Sequence, residues 1–415
     1  MNYSFYYDET FHDRKIVLTE NGTINTTRKD GLDDYVGVFW GCEQSREAEY
    51  VRQLTDFEEK HRKIYDLPDG KELKSETIGR KNYRYGVQSF SKNALAFYND
   101  LFQMLSNWNY VIHISIISKI ELLIRRALRG VIFPPFANGD AFIYSLAKLI
   151  VVHRPKQLIG AITSAANGGS SKEFRSVLIE TLDAMIKASA GVPRKGRTIE
   201  AFEQMRFIIL NMAFKADFNE KTPFEYSIIY YGLEKLLMEL GIRAEGVTIT
   251  IDEDEGTYNA SKAYNCGLVQ QGRSDALIQL RLSDWLCGFI GRMLYALKND
   301  ENTQEKSLED ISNIDLEDIK IKRLLSSEWF DLREQHFDMY LLLYNALIVQ
   351  HEHYWTTLAS VYSDDVICFY SLLRYFGSYN SFESFKAVSP ELHAEYYNSH
   401  AIGELERFYQ KNIWR

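Results

Sequence analysis

Proline is scarce, 7 in 415 residues, so long proline-rich or polyproline-II segments are excluded. Cysteine is scarcer still. Cys42, Cys266, Cys287 and Cys368 are widely scattered, and no two have the close spacing of a zinc site or a redox pair, so reduced and mostly buried thiols are expected. No long apolar run exists. The longest, residues 339–349, falls far short of the roughly 20 residues that a membrane span needs. The first residues lack a basic segment followed by an apolar one, so no secretory signal is read, and the expected location is the cytoplasm with no membrane partner. A Gly-x-x-x-x-Gly-Lys-Ser/Thr loop is also missing, which leaves nucleotide hydrolysis of that type without support. His351-Glu352-His353 lacks the i, i+4 spacing of a helical zinc pair and reads as a helix surface.

What the chain does have is apolar and aromatic mass: 46% hydrophobic residues, with 27 Tyr and 24 Phe, enough to bury a full core in two or three domains. Its net charge of −9 is unevenly spread. Residues 119–197 hold thirteen Lys and Arg against five Asp and Glu, a surplus of eight positive charges, so the remainder carries −17. Such asymmetry suits a polyanion on one face, and a solvated helical surface would produce it too.

Taken in order, residues 1–10, 15–20 and 35–41 read as three strands separated by turn residues, and residues 43–64 as an amphipathic helix with Tyr50, Val51, Leu54 and Phe57 on its apolar stripe. A polar loop at 67–79 precedes a helix at 91–106 and a near-continuous apolar strand at 110–118. Residues 119–217 read as a basic helical insertion, with helices at 119–130, 140–153, 172–188 and 199–214. A helix at 224–240, opened by Thr222-Pro223 and closed by Gly241, leads to a strand at 247–253 and a helix at 274–293. Residues 298–322 form an acidic linker, and 323–415 an aromatic-rich helical region; no internal repeat is evident. The core therefore divides into residues 1–118 and 218–297.

Strand alternation singles out two acids. In the first strand Tyr3, Phe5 and Tyr7 share one face and Ser4, Tyr6 and Asp8 the other, which aims Asp8 off the strand end. A carboxylate fixed there is where a metal-dependent hydrolase would place a ligand, although Asp8-Glu9-Thr10 also suits the start of a turn. Asp252 repeats this geometry on its own strand, behind Thr248 and Thr250. A third acid, Asp284, lies on the helix at 274–293 in one stripe with Gly288 and Gly291, and small Cys287 sits beside it. Each glycine costs a helix interior roughly 0.8–1 kcal/mol relative to Ala, so the stripe implies a close approach of another segment, expected to be the sheet. Asp284 would serve either as a ligand or as the salt-bridge partner of Arg281 or Arg292.

Three strands followed by alternating helices and strands make a mixed sheet with helices on its faces. This order resembles the ribonuclease-H-like fold, expected here as an α/β, five-stranded mixed sheet with a helical insertion and an all-helical C-terminal extension. Four motifs sharpen the likeness: Tyr6 to Thr10 closing the first strand, Glu72-Leu73-Lys74 after the first long helix, Asp252-Glu253 closing a late strand, and residues 280–287 on the last helix of the core. In these the chain resembles the bacterial domain of unknown function 3800 family, usually placed in the ribonuclease-H-like superfamily, over about residues 1–293.

The resemblance implies a carboxylate site for two divalent metals. Asp8 would bridge them, Asp252 and Asp284 would each complete one, and Glu72 would join from its loop, with Lys74 able to contact a phosphate. Four carboxylates suit Mg²⁺ or Mn²⁺, and two such ions about 3.5–4 Å apart would activate water and stabilise a leaving oxygen. The expected function is a metal-dependent nuclease or related phosphodiester hydrolase. RNA or DNA would lie along the insertion, on Arg125, Arg126, Arg129, Arg194, Lys195 and Arg197. A non-catalytic interaction or regulatory module with the same fold is the alternative. The C-terminal aromatics, among them Trp329, Phe337, Tyr340, Tyr344, Trp355, Phe369, Tyr370 and Phe376, repeat at helical intervals and point to a helical core that associates as a homodimer.

Overall fold

The computed structural model describes residues 2–10, 34–192, 195–214, 229–253, 255–262, 267–298, 300, 325–351, 355–358 and 364–412. Strand β1 (Tyr3–Thr10) pairs antiparallel with β2 (Asp34–Glu43), and β2 pairs antiparallel with β3 (Val111–Ser118). A separate two-stranded ribbon joins β4 (Val131–Ile132) to β5 (Ala213–Phe214). Strand β6 (Val247–Asp252) runs parallel to β1 on its other edge, β7 (Leu268–Gly272) parallel to β6, and β8 (Trp355–Leu358) parallel to β3. The result is a six-stranded mixed sheet in the order β7-β6-β1-β2-β3-β8.

Two of those strands depart from the expected set. β7, Leu-Val-Gln-Gln-Gly, is a short, polar edge strand, and hydrophobic alternation is weakest where one side of a strand has no neighbour. β8 overturns the all-helical reading of residues 323–415: four of its residues satisfy the outer edge of β3, a requirement of the partner strand and not of local periodicity. The strand expected at 15–20, the start of the helix expected at 224, and almost all of the acidic linker lie outside the described residues.

Helices cover both faces. They are α1 (Gln44–Ile64), α2 (Lys92–Ser106), α3 (Lys119–Ala127), α4 (Gly139–His153), α5 (Lys156–Ala166), α6 (Ser171–Ser189), α7 (Gly196–Asn211), α8 (Ile229–Glu239), α9 (Glu255–Ser261), α10 (Ile278–Lys298), α11 (Glu334–Tyr344), α12 (Asp364–Gly377), α13 (Phe382–Lys386) and α14 (Pro390–Asn412). Against one face, Phe5, Tyr7, Tyr35, Phe39 and Ile117 pack on Ile229, Tyr230, Leu233 and Leu236 of α8. On the other, Tyr6, Val38 and Trp40 meet Leu282, Trp285, Leu286 and Phe289 of α10. The face carrying Ser4, Tyr6 and Asp8 is therefore a helix-covered face, with Ser4 and Tyr6 buried.

The C-terminal aromatics join this second core. Trp329, Phe337, Tyr340, Phe369 and Phe376 are buried in the same continuous cluster as Trp40 and Trp285, and Tyr340 stacks on Phe376 at a centroid distance of 3.9 Å. The region is thus a layer of the parent domain. The insertion, by contrast, has its own core, built on Ile124, Leu146, Ile162, Phe174, Leu178 and Leu182. It includes α5, a helix that the sequence pattern hides behind Gly160 and Thr163. Lys148 on α4 ties it to the C-terminal layer through Asp364 at 2.8 Å.

Aromatic rings of β1 fill the space above glycines of β2. Phe5 lies opposite Gly41, and a Cβ on Gly41 would fall 2.5 Å from the Phe5 ring; one on Gly37 would fall 2.6 Å from the Tyr7 hydroxyl. Gly41→Val should lower stability by about 1–3 kcal/mol through overpacking, read as a lower urea midpoint at unchanged slope. Gly160→Ala, in α5 with nothing within 4 Å of the new methyl, should instead stabilise by about 0.5–1 kcal/mol.

Candidate metal centre

The centre forms where β1 ends beneath α10. Two bonds seat the helix on the strands: Ser283 Oγ donates to the Tyr6 carbonyl at 3.0 Å, and Trp40 Nε1 donates to the Gln279 carbonyl at 2.7 Å. The polar side chains of β1 on this face are themselves held by Glu47 of α1, which accepts from Ser4 Oγ at 2.8 Å and from the Tyr6 hydroxyl. The next inward position along β1 is Asp8, and the next residue along the helix is Asp284. One carboxylate oxygen of each and the Cys287 Sγ all lie within 4.8 Å of one another. Among the described residues this is the one group of three such ligand atoms.

A third segment, the 72–75 loop, closes over the helix. Trp285 Nε1 donates to the Leu73 carbonyl at 2.6 Å, and the Leu73 N–H donates to Glu58 at 3.2 Å. Glu58 is in turn paired with Arg281 at 2.9 Å, both side chains nearly buried. This clamp delivers Ser75 to Asp284, where the Ser75 N–H donates to Oδ2 at 2.7 Å and Ser75 Oγ to Oδ1 at 2.6 Å. Gly288 makes the approach possible, since a Cβ there would fall 2.5 Å from the Ser75 Cβ. The close neighbour of the glycine stripe is thus this loop.

Burial pushes the Asp284 carboxyl above its ordinary range, against the opposing pull of the Ser75 bonds, Arg292 and Lys74. Burial also raises the Cys287 thiol well above its ordinary value, with the charges of Asp8 and Asp284 adding to the effect. Neither suggested salt bridge to Asp284 forms as such. Arg281 is committed to Glu58, and Arg292 reaches Ser75 Oγ at 3.4 Å while its charge acts on Asp284 across a short gap. Asp8 Oδ1 accepts the Glu9 N–H at 2.8 Å.

The other expected ligands stand nearby but outside the 4.8 Å group. Tyr7 pairs in parallel register with Ile251, so Asp8 and Asp252 follow side by side near the carboxyl ends of neighbouring strands. Asp252 Oδ1 accepts the Glu253 N–H at 2.9 Å, the same local bond as at Asp8. Glu72 lies 3.7 Å from Lys74 Nζ and accepts from Ser274 Oγ at 3.4 Å. Cys287 was legible as a ligand only from its i, i+3 spacing to Asp284, which places both on one helix face.

On the insertion the six expected phosphate contacts separate. Arg125 is held by Glu121 and Asp140, each at 2.7 Å, so it braces α3 against the start of α4 and is not presented to a ligand. Arg126 is half-buried and Arg129 exposed, close enough that burial and the Arg129 charge together depress Arg126. Lys195 is half-buried at the start of α7. Arg194 and the Arg197 side chain lie outside the described residues.

Two carboxylates and a thiol, carried by a strand and a helix, make a donor set that could hold a metal ion. Gly288→Ala should cost about 1–3 kcal/mol by overpacking against Ser75. Adding Ser75→Gly should relieve that clash, so urea unfolding of the double variant should show less destabilisation than the two single changes summed. Compared with known proteins, the chain matches no family model, no curated sequence and no solved structure.

Proposed function

We propose that this chain is a metal-dependent phosphodiester hydrolase that cuts nucleic acid. The observation that carries this reading is the convergence of Asp8 and Asp284, remote in sequence, beside a third ligand atom at the carboxyl end of β1. Open α/β sheets place their ligand sites at that end of the strands. The resemblance to the domain of unknown function 3800 family and the ribonuclease-H-like superfamily points to the same chemistry.

Asp8 and Asp284 would hold the ion, and Asp252 and Glu72 are the neighbouring carboxylates available to a second, as a two-metal site with Mg²⁺ or Mn²⁺ requires. A bound divalent cation supplies an activated water and neutralises charge building on the phosphodiester. The residues around it have distinct work. Ser75 fixes the direction of the Asp284 oxygens, one of which lies within 4.8 Å of an Asp8 oxygen. The Glu58–Arg281 pair keeps the loop in register with the helix. Lys74, about half-exposed at its side chain, is the cation at the loop surface that a phosphate oxygen can reach. The basic surplus of residues 119–197 supplies the attraction for the polyanion.

Thermal unfolding with Mn²⁺ tests the site. A ligand binding only the folded state at 100 times its Kd stabilises by about 2.7 kcal/mol, so the midpoint should rise and Asp8→Asn should abolish the rise. No rise with millimolar Mn²⁺ or Mg²⁺, and none with Co²⁺ or Cd²⁺, would favour the non-catalytic interaction module. The nucleic-acid surface has its own test. Binding to single-stranded RNA or DNA should weaken with salt at a log–log slope of roughly −0.7 per phosphate contacted. Neutralising Arg126, Arg129 and Lys195 together should flatten that slope, and an unchanged slope would remove the insertion from the interface.

A further inference from the structure

Cys287 is fully buried, yet it does not stand among apolar neighbours alone. Its Sγ belongs to the same 4.8 Å group as the Asp8 and Asp284 oxygens, while the buried thiols of Cys42 and Cys368 belong to no such group among the described residues. We propose that Cys287 is a metal ligand, and that the centre selects a thiophilic divalent transition metal of the zinc, cobalt or cadmium type over Mg²⁺. The inference rests on the reading of Asp8 and Asp284 as ligands and names the ion that their site takes.

The geometry carries it first. Two ligand atoms bound tetrahedrally to one ion at about 2.0–2.3 Å stand roughly 3.5 Å apart, so a group within 4.8 Å has about 1 Å to close on binding. Asp284 and Cys287 sit three residues apart on one helix and Asp8 lies within a central strand near its carboxyl end, so all three come from rigid elements. Chemistry carries it further. Mg²⁺ demands a shell of oxygens, and a thiol at this position takes one ligand place from it; zinc-like ions accept sulfur and oxygen together and reach catalytic form with three protein ligands and one open position. On binding, the Sγ–H bond breaks, the proton leaves to solvent and the sulfur lone pair forms the metal bond.

A second feature at the same place fits a charged guest. Among the described residues the Arg292 Nη1, buried beside Ser75 and Gly288, makes no hydrogen bond of good geometry, although the guanidinium acts on the nearby Tyr83 hydroxyl. A guanidinium N–H so close to Ser75 and Asp284 is suited to a further oxygen brought in with the metal, from water or from a phosphate.

The test uses the full chain, reduced and stripped with chelator, titrated with Cd²⁺ and with Co²⁺ while absorption is followed in the ultraviolet and visible. Thiolate-to-metal charge-transfer absorption should appear in the wild type and vanish in Cys287→Ser, whose other three cysteines remain as an internal control. The same substitution should weaken Cd²⁺ by more than the roughly 10–100-fold typical of losing an outer-sphere partner. Asp8→Asn, which keeps every thiol, should also lose the band, and it decides the matter if Cys287→Ser melts below the wild type before metal is added. A band that persists in Cys287→Ser, or in Asp8→Asn, would overturn the assignment. Mn²⁺ stabilisation of the wild type with no thiolate band from Cd²⁺ or Co²⁺ would remove Cys287 from the site and leave the carboxylate centre standing. Absence of stabilisation and absorption with every ion would remove both.

Discussion

The contact between α10 and the ends of β1 and β2 is the constraint on which the rest is arranged. It joins two kinds of surface, a helix face of Leu282, Trp285, Leu286 and Phe289 and a strand face of Tyr6, Val38 and Trp40, with nothing left exposed between them. Apolar burial supplies the attraction, and it is not directional. Direction comes from the few polar groups trapped in the contact. Ser283 and the Gln279 carbonyl each find a partner on the strands, and these two bonds fix the rotation and the height of the helix. At that setting, the residue after Ser283 faces the end of β1.

The 72–75 loop adds what a helix and a strand cannot supply between them. A half-buried carboxylate such as Asp284 is costly to charge, and the loop answers with an N–H and a hydroxyl on its two oxygens. Holding the loop there requires its own backbone to be satisfied, which Trp285 and Glu58 do from opposite sides of Leu73. Glu58 brings a charge into the core and Arg281 accompanies it. A buried pair of this kind contributes little net stability beside an apolar replacement, and its consequence is register: the loop fits α1 and α10 at one position. Each cost is offset by the next contact outward, and the chain of contacts ends at Ser274, whose carbonyl takes the Arg281 guanidinium at 2.7 Å.

The two additions to the sheet have different relations to it. The C-terminal helices share a core with the strands and contribute β8 to the sheet edge, so they are part of the scaffold that positions α10. The insertion keeps a separate core and meets the C-terminal layer through the Tyr144, Lys148 and Asp364 contacts. Its positive surplus is partly spent inside, as Arg125 shows by pairing with Glu121 and Asp140. A count of charges along a segment therefore overstates the field it presents to a polyanion.

Local periodicity determined much by itself. Alternation along residues 3–8 placed Asp8 on the face with Ser4 and Tyr6, and the same alternation placed Asp252 behind Thr248 and Thr250, because side-chain direction in a strand follows from backbone geometry alone. Helical spacing put Asp284, Cys287 and Gly288 on one stripe, and the cost of glycine in a helix signalled a close neighbour. Which neighbour it was could not be read, since that depends on where a loop two hundred residues earlier is clamped. Only the tertiary structure set β6 parallel to β1, recruited β8 to β3, gave Arg281 to Glu58, and closed a group around Asp8 and Asp284 that includes Cys287 while Asp252 and Glu72 stand beside it. Those choices are made by desolvation and by the satisfaction of buried polar groups between distant segments, and neither leaves a periodic trace in the chain.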